Sequence, residues 1–193
     1  FLIETVIDIM VESKILQTAQ ERVVWNFKNM QGNRGNYNNN YNQPKEFEET
    51  VVEIKRISKK TKGGNMIRFS ALVVVGDRKG KVGVGLSKAA SVADAIRKSI
   101  EAGKRKMIVV PLRGTTIPYS LNEKFSASKI LLKPAPPGTG IVAGGPIRVV
   151  LEAAGVRDAV GKSLGTKNKA SNVYATLKAL ETLAKIVERR DRS

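Results

Sequence analysis

Lys55–Ala89 reads KRISKKTKGGNMIRFSALVVVGDRKGKVGVGLSKA, and its period-two apolar pattern, cut by turns of glycine and cations, decides the fold. Ile67, Phe69, Ala71, Val73 and Val75 fall on one face, with Arg68 and Ser70 opposite, which predicts a strand from Met66 to Val75. Gly76-Asp77-Arg78-Lys79-Gly80 then reverses the chain into a third strand, Lys81 to Leu86, giving a hairpin with a cationic tip. Upstream, Val51 to Ile57 reads as the first strand. Downstream, Ser91-Val92-Ala93-Asp94 fits a capping box, and Val92, Ile96 and Ile100 form one apolar helical stripe with Arg97, Lys98, Lys104 and Arg105 off it. The first unit is therefore β-β-β-α.

A second unit is expected from Met107, with short strands Met107 to Val110, Thr116 to Tyr119 and Lys129 to Leu132 broken by Pro111, Pro118 and Pro134. Pro146 in a first helical turn and Gly155 just past a last one place a helix over Ile147 to Ala154. Ala159 to Leu164 reads as another strand. A closing helix spans about Ser171 to Val187, with Val173, Leu177, Leu180, Ala184 and Val187 on one face and Lys178 and Lys185 outside it. The fold class is α+β. The divisions are 1–46 as an extension and linker, 47–106 as an N-terminal domain, 107–187 as a C-terminal domain and 188–193 as a basic tail. Within the first division, Phe1 to Trp25 suits a short amphipathic helix and a start without Met suggests a fragment or unusual extension, while the Asn/Gly-rich stretch Asn26 to Gln43 is too polar to bury a core. The apolar run Phe1 to Val11 carries Glu4 and Asp8 and is too short and too acidic for a membrane span or a signal peptide.

Charge narrows the function. The chain has 193 residues and a formal net charge of +17; residues 1–50 hold only 5 of the 34 Lys/Arg and 7 of the 17 Asp/Glu, so the whole positive excess lies beyond them. Such a density repels itself in a compact fold and calls for a polyanion, nucleic acid before membrane. Cys and His are both absent, which removes disulfides, thiolate and imidazole nucleophiles and the common zinc and iron sites. No cofactor or metal is expected, and the location is cytoplasmic.

Lys59-Lys60-Thr61-Lys62-Gly63-Gly64-Asn65 sets three ammonium groups beside two glycines whose amides are free to converge on phosphate. Arg56, Arg68 and Lys81 on the adjoining strands point the loop toward RNA, and with Lys55, Ser58, Arg78, Lys79 and Lys88 it forms the expected RNA-contact set, to which the helix over 91–106 adds more cations. Aromatics make up only 5% of the chain; phosphate and shape readout fit better than base stacking, and Phe69, Tyr119, Phe125 and Tyr174 are expected to pack in the core. Gly138-Thr139-Gly140-Ile141-Val142-Ala143 matches the dinucleotide pattern, with Asp158 near the spacing of its ribose-binding acid, but Pro134, Pro136 and Pro137 stand where a buried strand should be. Gly155 to Ser163 approaches a Walker loop with one residue too many. The turn containing Gly138, Thr139, Gly140, Gly144 and Gly145 is read instead as close packing or as an amide site for an rRNA phosphate.

Taken together, IKRISKKTKGGNMIRFSALVVVGDRKGKVGVGLSKA, PAPPGTGIVAGGPIRVVLEAAGVRDAVGKSLGTKN and NVYATLKAL closely resemble the bacterial ribosomal protein S-five family of the small ribosomal subunit, over about Phe47 to Leu183. The resemblance implies an N-terminal double-stranded-RNA-binding-like domain and a C-terminal two-layer α/β domain with a left-handed β-α-β crossover. It also implies a structural rather than enzymatic role, contact of Arg56 and Ser58 to Asn65 with small-subunit rRNA near the decoding region, and ribosomal proteins S-four and S-eight as neighbours. A place near the mRNA entry and an effect on translational accuracy follow as well. Asn65 and Ser87 depart from the family pattern, where a basic residue and a glycine are usual. Two other readings compete: a small-molecule kinase that uses Pro137 to Ala143 on ATP, and a free regulator of duplex RNA.

Overall fold

The computed structural model describes residues 46–191; the helix expected over Phe1 to Trp25 and the Asn/Gly-rich linker lie outside the described residues. The first sheet has the order β1-β2-β3-β4, all antiparallel, from β1 (Glu48–Thr61), β2 (Gly64–Gly76), β3 (Lys81–Ala89) and β4 (Ile108–Val109). Its helix is α1 (Val92–Arg105), opened by Ser91. The Ser91 hydroxyl accepts from the Asp94 amide at 3.1 Å and donates to the Asp94 carboxylate at 2.6 Å, so the expected cap forms.

Met107 to Val110 does not begin the second unit: Ile108 pairs with Val82 and Val109 with Lys81, completing the first sheet. The deepest face of α1 is Ala95, Ser99 and Gly103, while Ile96 and Ile100 flank it half-buried. The reason lies on β3, where Gly83 and Gly85 lack side chains and let the helix backbone settle on the strand.

The second sheet has the order β5-β6-β8-β7, from β5 (Leu121–Phe125), β6 (Ser128–Pro134), β7 (Ile141–Val142) and β8 (Ala159–Ser163). Between β7 and its parallel neighbour β8 runs α2 (Gly145–Ala154), so a β-α-β crossover is present. Thr116 to Tyr119 is not a strand; Thr116 makes only isolated bridges to Arg113 and Asp158, and Ile117 plugs the core. The strand is Leu121–Phe125 instead, paired from Leu121 with Leu132 to Phe125 with Ser128.

The last helix, α3 (Lys169–Asp191), starts earlier and ends later than expected. Asn168 ahead of it accepts from the Ala170 amide at 3.2 Å, a capping role. At the far end Arg190 donates to the Tyr119 hydroxyl at 3.0 Å and its guanidinium lies 4.8 Å from that ring, which extends the helix past Val187. Tyr119 therefore anchors a helix end, and Phe125 is an exposed partner to Tyr174 at 5.8 Å; Phe69 and Tyr174 pack against the core as expected. Buried Asn172 ties α3 to the sheet: its carbonyl oxygen accepts from Ser128 and Ser163, and its amide donates to the Thr166 carbonyl.

The strand β2 is buried on both faces from Ala71 to Gly76. Ala71, Val73 and Val75 meet α1, as the period-two pattern predicts. Leu72 and Val74 join Val82, Val84, Leu132, Val150 and Leu151 in one core shared with the second sheet and its helices. The described residues, 46–191, accordingly form a single compact unit.

Its joint is made of backbone. The Leu151 and Glu152 carbonyls at the end of α2 accept from Val156 and Gly155, the usual local closure. The next two, Ala153 and Ala154, accept from the Arg78 and Gly80 amides of the β2–β3 turn at 3.1 and 3.0 Å. Gly155 (φ +87°) passes so close to Arg78 that a Cβ would fall 2.5 Å from the Arg78 carbonyl carbon.

Candidate nucleic-acid interface

The pairing of β3 with β2 stops at Ala89 opposite Phe69, while β1 and β2 continue for five more pairs, Ile57 with Arg68 through Thr61 with Gly64. A two-stranded arm therefore extends past the sheet and closes through Lys62 and Gly63. Alternation puts Lys59, Met66 and Arg68 on one face and Ser58, Lys60, Asn65 and Ile67 on the other. Apart from half-buried Ile57, every arm residue is exposed, including Met66 at 50% and Ile67 at 42%. Of the two glycines only Gly64 takes a positive φ, +134°.

Register separates the expected contact residues into two groups. Arg56, Lys59, Lys60, Lys62, Arg68 and Lys88 gather at the arm and its base, all exposed, and among the described residues none is paired with a carboxylate. Lys55 is at the base too but pairs with Glu53 at 3.0 Å, which also lies 3.7 Å from Lys169. Arg78, Lys79 and Lys81 stand at the opposite end of β2, eight residues or about 26 Å from Arg68 along the strand. Lys81 does not adjoin the arm. Arg78 is held by both carboxylate oxygens of Glu48, one at 2.7 Å, which raises its pKa further, and the Asp77 carboxylate accepts from the Lys79 and Lys81 amides to close the turn. This tip is a structural joint.

Two cations from α1 complete the arm's base. Arg97 and Lys98 line a cleft of about 540 Å³ with Arg68 and Lys88, and Asp94 and Glu101 border it. The spacing of Arg97 and Lys98 off the apolar stripe shows that they are exposed, but only the fold places them beside Arg68.

The glycine turn behaves differently from expectation. Gly138 (φ +91°) and Gly140 (φ +72°) aim their amides at the carboxylate of buried Asp158, at 3.0 and 2.9 Å. The Thr115 side chain and these two amides hold Asp158 below the usual aspartate range. These amides are thus taken by the protein's own anion, which leaves neither an ATP nor an rRNA phosphate a place on them. Close packing is excluded as well: a Cβ at Gly138, Gly140, Gly144 or Gly145 would meet nothing within 4 Å. Thr139 closes the turn locally, its hydroxyl donating to the Pro136 carbonyl at 2.8 Å.

With this geometry in hand, comparison with known proteins is specific. Residues 47–111 match the family model for the ribosomal protein S5 N-terminal domain, and residues 123–191 match that for its C-terminal domain. The small ribosomal subunit protein uS5 of Chloroflexus aurantiacus is 51% identical over 143 residues, covering 74% of this chain and 80% of that protein. The corresponding protein of Campylobacter jejuni is 50% identical over 143 residues, covering 74% of this chain and 97% of its own. The two-domain α+β fold and this extent of identity place the chain in a structural family without enzymatic activity: it belongs to the ribosomal protein S5 family.

Proposed function

We propose that this protein is a non-catalytic structural component of the small ribosomal subunit, in the cytoplasm, and that its arm binds small-subunit rRNA. The observation that carries this reading is the arm itself, a ribbon whose lysines and Arg68 make no ion pair with a carboxylate among the described residues and whose two faces are exposed. A ribbon two strands wide follows a groove or a phosphate ridge with cations on both sides. The contact set is then Arg56, Ser58, Lys59, Lys60, Lys62, Asn65, Arg68 and Lys88, with Gly63 and Gly64 shaping the tip. Exposed Met66 and Ile67 supply apolar contact between the charges. Proteins S-four and S-eight as neighbours, a place near the mRNA entry and decoding region, and support of accuracy are parts of the same proposal, resting on the family resemblance.

Replacing Lys59, Lys60 and Lys62 together by Gln tests it. Each lost phosphate contact removes about 0.7 to 0.9 from the slope of log K against log salt, so the triple variant is expected to bind small-subunit rRNA with a slope shallower by about 2 to 3. Titration at four ionic strengths reads this directly, and a slope equal to the parent's would refute the arm as a phosphate contact.

A further inference from the structure

Among the described residues the second sheet is covered on one side only. Strand alternation turns Ile130, Leu132, Ala159 and Gly161 inward beneath α2 and α3, together with Glu123, which pairs with Lys178 at 2.7 Å. The outer face is left with Asn122, Lys124, Lys129, Leu131, Lys133 and Lys162, and with Val142 opposite Val160 at one edge. All four lysines are exposed, the face contains no acidic residue, and among the described residues no carboxylate pairs with any of them.

One detail makes this more than a solvated surface. Lys124 lies directly opposite Lys129 in the β5–β6 register, and like charges directly opposed across two strands destabilise a sheet. Lys162 stands opposite Leu131, and Lys133 lies four residues beyond Lys129. The cations thus form three rows about 7 Å apart along the strands, spanning about 13 Å in all. Isolated, this face repels itself; a regular line of external anions would satisfy it.

We propose that the open face of the second sheet is a second RNA-contact surface, on which Lys124, Lys129, Lys133 and Lys162 neutralise consecutive backbone phosphates while Val142 and Val160 pack against sugar. Lysine is a compact point charge suited to phosphate. The surface lies on a different sheet from the arm and stands or falls independently of it.

The test uses the full chain with Lys124, Lys129, Lys133 and Lys162 all changed to Gln, titrated against small-subunit rRNA over a salt series beside the parent and the arm variant. The salt slope is expected to become shallower by about 3, and by that amount again when the changes are added to the arm variant. The thermal midpoint stays level or rises as the opposed lysines are removed, so lost binding is not lost folding. A slope equal to the parent's, whatever the arm variant does, overturns the proposal. Lysine acylation gives a second readout: shielding of these four side chains by rRNA alone supports it, whereas shielding only in assembled subunits overturns it in favour of an acidic protein surface.

Discussion

Gly85→Ala is expected to destabilise the fold by about 3 kcal/mol or more, at the upper end of overpacking costs, and so to lower the thermal midpoint by roughly 6 to 12 °C. A Cβ on Gly85 would collide with the Ser99 carbonyl oxygen and stand 2.8 Å from its carbon and 2.9 Å from the Gly103 nitrogen. All three obstacles are backbone, and no rotamer change relieves them. The helix α1 must lift, which opens the seam where Ala95 packs on Ala71, Val73 and Val75 and strains the Ser99 hydroxyl's bond to the Ala71 carbonyl, now 2.9 Å. Gly63→Ala is the control. Nothing lies within 4 Å of a Cβ there, so its effect should stay within about 0.5 kcal/mol. Urea or thermal unfolding of the two variants gives the comparison, and equal midpoints would contradict the close-packed seam.

The second large effect is expected for Asp158→Ala. Removing the carboxylate leaves the Gly138 and Gly140 amides and the Thr115 side chain without their acceptor in a site where Asp158 is only 4% exposed. The glycine turn should loosen, with a fall of about 5 to 10 °C in the thermal midpoint. The acid side carries a further signature. The Asp158 carboxyl is held below its usual range in the fold, so its contribution is fully present above about pH 4, the unfolded value, and is lost as pH falls through the lower folded value. The parent and variant stability curves should therefore run parallel at neutral pH and converge in acid. Curves that stay parallel down to strongly acid solution would contradict the role of Asp158.

Much of the fold is legible because its signals are local. The alternation from Ile67 to Val75, the Ser91 cap and the Pro146–Gly155 pair each act within a few residues, and each marks an element that forms. Information that depends on long-range pairing is not legible in the same way. Nothing local marks Gly83 and Gly85 until Ser99 and Gly103 are placed over them. Lys81 joins the arm's cations in the linear sequence, but the antiparallel register carries it to the other end of β2. The glycine turn looks like a phosphate cradle until Asp158, 20 residues away, fills it. Arg97 and Lys98 join Arg68 only because α1 folds back across the sheet. The arm is read correctly as cationic, but its reach past β3 rests on where β3 stops pairing, which no local pattern encodes.

The proposed role makes this chain an RNA-bound part of the small ribosomal subunit. The most direct measurement follows the intact protein through a sucrose gradient of cell lysate at low ionic strength and then at rising salt. It is expected to travel with small subunits, to survive a moderate salt wash and to be released only at high ionic strength, with the arm variant released earlier. Recovery of the protein at the top of the gradient at low ionic strength, separate from ribosomal RNA, would contradict the account.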